Sequence, residues 1–207
     1  DLPFAQMWYA RPSEYVWHDD SGQPHMVTQA EGGEQGDPLM PALFSLGQHP
    51  ALEAVAAQLQ PGEALYAFLD DVYAVVEPNR VRPVYDLLAH HLHETARIRL
   101  NGGKTRIWNK TGHQPPNTED LGAATWVGDQ SLPPEQQGVT VLGAPIGSAE
   151  HIQSHLQQTS AQHTPPLQHL PYLDDLQASW LLLLYTASTH SNYLLRMVPP
   201  HLDAIPV

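Results

Sequence analysis

The chain has 207 residues and a formal charge of −13, from 22 Asp and Glu against 9 Lys and Arg, and no cysteine, which excludes disulfides and thiolate zinc sites. No apolar run reaches the ~18 residues that a spanning helix needs, and no N-terminal signal-peptide pattern is present, so a soluble chain without a membrane partner is expected. The length allows one core with an appendage, and the acidic balance runs against a nucleic-acid binder, whose affinity for phosphates comes mainly from Lys and Arg.

Both ends, Asp1-Leu-Pro-Phe and Ala-Ile-Pro-Val207, read as cuts through a longer sequence. After an apolar stretch, Phe4–Ala10, the segments Tyr15–His18 and His25–Gln29 flank Asp19-Asp-Ser-Gly-Gln. That order predicts a β-hairpin whose turn is supplied by Asp and Gly, so Asp19-Asp20 is read as turn chemistry and not as a metal site. A glycine-rich corner, Glu31–Pro38, follows. Leu39–Leu59 then has apolar residues at helical spacing, with Pro50 expected to break or kink it.

The next run, Ala64–Val76, is apolar except for Asp70-Asp71 at its centre. It predicts two strands, Ala64–Leu69 and Val72–Val76, meeting in a tight hairpin with both carboxylates at the tip. Carboxylates taken out of water inside such a run would cost several kcal/mol, and a divalent cation is the simplest compensation. Mg²⁺ suits this arrangement, because it takes one or two carboxylates together with substrate phosphates.

Asn79–Arg99 is strongly amphipathic, with Val81, Val84, Leu87, Leu88, His91, Leu92 and Ile98 recurring at near-helical spacing, and Asn101-Gly-Gly is expected to close it in a left-handed cap. Lys104–Trp108 predicts a strand. His113–Gln137, rich in Pro, Gln, Gly and Asn, predicts an irregular loop. Gly138-Val-Thr-Val-Leu-Gly143 predicts a short strand ending in a turn, and Glu150–Gln162 a polar helix. Leu173–Met197, the most apolar helical segment, is expected to pack on something, with Asp174-Asp175 at its N-terminus, where acids are favoured. The histidine groups His90/His91/His93 and His151/His155 lack a supporting second pair at a recognisable interval and are not read as zinc ligands. The order of elements predicts an α+β fold, an antiparallel sheet with helices on one face.

Four boxes occur in order: Gln35-Gly36-Asp37-Pro38, Phe68-Leu-Asp70-Asp71, Asn101-Gly-Gly-Lys104-Thr105 and Val141-Leu142-Gly143. The series resembles the palm of reverse transcriptases, particularly those of non-LTR retrotransposons, and spans roughly residues 29–147. The resemblance implies a partial palm over 1–147 and a helical thumb-like or connecting region over 148–207. It implies an RNA template, a DNA primer and deoxynucleoside triphosphates as partners of the intact parent, with two Mg²⁺ ions as cofactors. Asp70 and Asp71 would be metal ligands and catalytic residues. Gln35, Gly36, Pro38, Phe68 and Lys104 would contact substrate. The family's palm carries a further metal-binding Asp on a strand upstream of the Gln-Gly box. No Asp at the end of an apolar strand matches it here, since Asp1 stands before Leu-Pro-Phe. The resemblance therefore implies a fragment that cannot polymerise alone. The alternative is a catalytically dead retroelement remnant acting as a binding or scaffold domain.

Overall fold

A computed structural model describes residues 2–29, 32–33 and 36–198. The chain divides into two compact units, Asp1–His49 and Pro50–Val207. Helices and small antiparallel sheets alternate, so the fold is mixed α+β. The expected continuous sheet does not form: the strands make three separate two-stranded hairpins.

In the first unit, helix α1 (Leu2–Tyr9) precedes β1 (Ser13–His18) and β2 (Pro24–Gln29). The strands pair antiparallel from Ser13↔Gln29 to His18↔Pro24. Both faces of this hairpin are open, with Val16, Trp17 and Met26 all more than half exposed.

Helix α2 (Met40–Ala56) continues past Pro50, so the expected break is not found. Pro50 has no N–H for the Leu46 carbonyl, a loss worth about 3 kcal/mol in a helix interior. Ala51 and Val55, just past the proline, are fully buried, and their burial offsets that loss.

The core lies in the second unit. Ala51 and Val55 of α2 meet Val84, Leu88 and Leu92 of α3 (Val81–Ala96), and Leu65, Val72 and Val76 pack against that cluster. These last three lie on one face of the β3 (Ala64–Phe68) and β4 (Asp71–Val75) hairpin or just past its end. Two helices thus cover one side of a single hairpin. A bidentate ion pair joins the start of β3 to the turn before α3, with Arg80 Nε donating to Glu63 Oε1 at 3.1 Å and Arg80 also reaching Gln58 O. The Glu63 side chain is only 2% exposed, and Arg80 holds its carboxyl below the ordinary glutamate range.

Helix α3 ends earlier than the Asn101-Gly-Gly sequence suggests. Arg97 takes the left-handed conformation (φ 56°) and donates its N–H to His93 O and Leu92 O. Ile98 also donates to Leu92 O, at 3.2 Å, and its side chain packs against the core. A non-glycine residue therefore makes the cap, because turning the chain there returns Ile98 to the interior.

Residues 113–137 are irregular, as their composition predicts, but they are not loose. Thr118 and Thr125 are almost fully buried, and Pro115 is too. Arg82 pins the segment to α3 by donating to Asp86, to Asn117 O at 2.8 Å and to Asp120. Beyond it, β5 (Gly138–Val141) and β6 (Ala144–Gly147) pair through a Leu142-Gly143 turn in which both residues have positive φ. Helix α4 (Ala149–His169) extends seven residues past the end of the predicted polar stretch and is capped by Ser148, whose Oγ accepts the His151 N–H.

Helix α5 (Leu176–Leu182), a π-helical turn (Leu183–Ala187) and α6 (Ser188–Met197) complete the described chain. Asp175 caps α5 by accepting from the Gln177 and Ala178 N–H groups. The expected burial of this segment is not found, since Leu176 is 84% exposed, Tyr185 72% and Trp180 60%. Its apolar residues fall all around the helix, and its neighbours cover only part of that circumference. No described helix is long and apolar enough to cross a membrane.

Candidate functional site

The β3–β4 hairpin builds the Asp70-Asp71 site. Strand alternation sends Leu65, Val72 and Val76 towards the core and leaves Tyr66, Phe68, Asp71, Tyr73 and Val75 on the outer face. Register places Tyr66 opposite Tyr73 and Phe68 opposite Asp71. The chain reverses at Leu69 and Asp70, and Leu69 takes a positive φ of 54° to do so. Two carboxylates therefore stand at the tip, as the sequence predicts.

Their environment differs from that expectation. Asp70 and Asp71 are both exposed, and Phe68 beside them is 59% exposed. The carboxylates stay in water, so no desolvation penalty calls for a cation. Neither accepts a hydrogen bond or forms an ion pair among the described residues. They are two hard oxygen donors free for an outside ligand, which is the donor chemistry Mg²⁺ prefers. No group of three or more His, Cys, Asp or Glu residues is gathered to hold a metal among the described residues. The pair thus offers two carboxylate ligands and no third one beside them among the described residues.

The hairpin is tied to the Leu142-Gly143 turn from outside the core. The Leu142 N–H donates to Tyr73 Oη at 3.2 Å, and Tyr193 Oη donates to Leu142 O at 2.8 Å. Two phenols, one on β4 and one on α6, hold the same residue. Sequence reasoning missed this clamp, because contacts across 69 and 51 positions leave no local pattern.

Lys104 is not on a strand. It closes a turn in which the Lys104 and Thr105 N–H groups both donate to Asn101 O at 3.0 Å, and its side chain is exposed. The residues after it make only an isolated bridge, Ile107↔Trp126, because Asn101-Gly-Gly favours a turn over a continuing ladder.

Gly36 and Pro38 belong to the first unit, and Gln35 lies outside the described residues. Gly36 has φ +96°, a conformation side chains rarely adopt. Asp37, between them, was not singled out from the sequence. Its Oδ1 accepts the Leu39 N–H at 2.9 Å just ahead of α2, and Tyr9 Oη donates to its Oδ2 at 2.5 Å. The Tyr9 hydrogen bond is the main cause holding the Asp37 carboxyl below its ordinary value. An acid before Pro and a helical run is a start signal that could have found it. Tyr9, Asp37 and Pro38, together with Phe4 and Arg11, border a cleft of about 630 Å³ within this unit.

The acidic doublet of the first hairpin, Asp19-Asp20, is turn chemistry as predicted. Asp19 Oδ1 accepts from Ser21 N, Ser21 Oγ and Gln23 N, while Oδ2 meets His25 Nε2 at 2.8 Å. His25, then Ser21 and Gln23, lower its carboxyl to about 2.

Compared with models of known families, with curated proteins and with solved structures, the chain matches none of them.

Proposed function

We propose that this chain is part of the palm of a retrotransposon-type RNA-directed DNA polymerase, with Asp70 and Asp71 as its ligands for Mg²⁺. The observation that carries the reading is the β3–β4 hairpin, anchored on its inner face and presenting two unengaged carboxylates at its tip. The order of the four boxes supports it. When bound, Mg²⁺ would supply positive charge to offset that of phosphoryl oxygens. Asp70 and Asp71 would hold the ion, and Phe68 beside them would border the substrate. Gln35, Gly36 and Pro38 would contribute to the template–primer surface, and Lys104 would offer its charge to the triphosphate.

Among the described residues no third acid is grouped with these two carboxylates, which leaves the metal set incomplete, so the reading expects no primer extension by this chain alone. The first test titrates the full chain with Mn²⁺, read by paramagnetic broadening of backbone amide signals. Broadening centred on Asp70 and Asp71 and lost in Asp70→Asn is expected. Broadening that ignores the hairpin sinks the metal assignment. The second test offers an RNA template, a DNA primer and deoxynucleotides with Mg²⁺. No extension is expected, and measurable extension overturns the fragment reading.

A second reading, a catalytically dead remnant kept as a binding or scaffold domain, is favoured by one observation, the apolar surface exposed at Leu176, Trp180, Tyr185 and Leu195. Absence of any Mn²⁺ effect at the hairpin selects it.

A further inference from the structure

Of the asparagines, only Asn101 is followed by glycine. It is exposed and opens the turn described above, with its carbonyl fixed by Lys104 N, Thr105 N and Thr105 Oγ1. Its side chain folds forward along the chain: Oδ1 lies 3.3 Å from the place a Gly103 Cβ would occupy. The side-chain amide thus lies along the Gly102–Gly103 stretch. Nothing bulky shields Gly102, where an added Cβ would meet only Leu121 O at 3.7 Å.

Asn109 shows the contrast. Its Oδ1 accepts from Thr111 N, Thr111 Oγ1 and Gly112 N, and its Nδ2 donates to His113 O at 2.8 Å. That side chain cannot turn onto the following peptide without losing all four bonds.

We propose that Asn101 is a site of spontaneous deamidation through cyclisation onto the Gly102 nitrogen. The Gly102 amide gives its proton to solvent base and its nitrogen attacks Asn101 Cγ. The N–Cγ bond forms, the Cγ–Nδ2 bond breaks, and Nδ2 departs as ammonia after taking a proton from solvent. A five-membered imide remains. Water then adds to one of its two carbonyls and opens the ring, giving aspartate or isoaspartate. No electrons are transferred, and water is the only co-reactant. Glycine at the attacking position gives the chain the freedom to bring nitrogen to carbon.

The product changes its surroundings in two ways. A new carboxylate appears three residues before Lys104 and offsets its charge. The isoaspartate form also inserts a methylene into the backbone, which disrupts the Lys104 and Thr105 hydrogen bonds to the Asn101 carbonyl. The chemistry does not depend on the polymerase reading, although it changes the surroundings of Lys104, which that reading uses.

The test incubates the full chain in mildly acidic and mildly alkaline buffer and follows each asparagine by peptide mapping with an isoaspartate-specific label. Conversion is expected at Asn101, to both products, faster in alkali, with Asn109 intact. Gly102→Ala is sterically permitted and should lose most of the conversion while keeping the circular dichroism spectrum. Asn101→Gln, whose extra methylene demands a larger ring, should lose it as well. An intact Asn101, conversion at Asn109 instead, or an unreduced rate in Gly102→Ala overturns the proposal.

Discussion

The chain contains two short antiparallel hairpins, each with an Asp-Asp doublet at or beside its turn, and the doublets do different work. In β1–β2 the first carboxylate is consumed by its own turn, accepting from Ser21, Gln23 and His25. In β3–β4 the turn closes without the acids, because Leu69 takes the left-handed conformation and the strands are seated on the α2–α3 core. Asp70 and Asp71 are therefore left to solvent. The same dipeptide is a structural part in one hairpin and an available ligand in the other. What separates them is who holds the hairpin together: side-chain hydrogen bonds in the first, burial of one face in the second.

The largest expected effect tests that burial. Leu92→Ala opens a cavity beneath β3–β4, with Leu92 2% exposed, and should cost about 2–5 kcal/mol of stability. Trp17→Ala in the open hairpin should change stability by no more than about 0.5 kcal/mol, as exposed substitutions do. Chemical denaturation of both variants checks the pair, and equal losses would erase the distinction.

Acid separates the hairpins next. The Asp19 carboxyl is depressed in the folded state from 3.8 to about 2. A depressed folded value means that its contribution is present above 3.8 and lost as pH falls towards 2. Amide signals of Ser21 and Gln23 should shift in that window while the amides of Ala67 and Val72, held by the buried face of β3–β4 and away from the Glu63–Arg80 pair at the start of β3, keep their protection. Simultaneous loss would show that the two hairpins melt as one.

A smaller effect concerns the clamp. Tyr73→Phe removes the acceptor of the Leu142 N–H and should cost about 0.5–1.5 kcal/mol. Hydrogen exchange at Leu142 should rise more than exchange at Val139. The smallest effect is that of Asp70→Asn, which should leave stability within about 0.5 kcal/mol while removing Mn²⁺ binding. A large stability change would mean that the carboxylate serves the turn, as Asp19 does.

Much of this was legible in the chain itself. Short apolar segments on either side of Asp19-Asp20 and Asp70-Asp71 announced both hairpins, and the helical spacing of Val81, Val84, Leu87, Leu88, His91, Leu92 and Ile98 announced α3. The cap at Arg97 was not legible, since Asn101-Gly-Gly is the better local signal and only the return of Ile98 to the core favours the earlier turn. Passage of α2 through Pro50 was hidden for the same reason. Local preference argues for a break there, and burial of Ala51 and Val55 overrides it. At the site, the position of the acids was readable but their solvation was not. An apolar strand looks buried until its second face is seen to lack a covering element.

Sequence alone determined the mixed class, the two hairpins and the placement of Asp70 and Asp71 at a tip, because these follow from side-chain periodicity and turn chemistry acting over a few residues. Tertiary structure alone decided that the sheets stay separate, that Tyr73 and Tyr193 converge on Leu142, and that the acids face water. Those outcomes depend on which distant surfaces meet, and contacts between positions 69 residues apart leave no trace in local pattern.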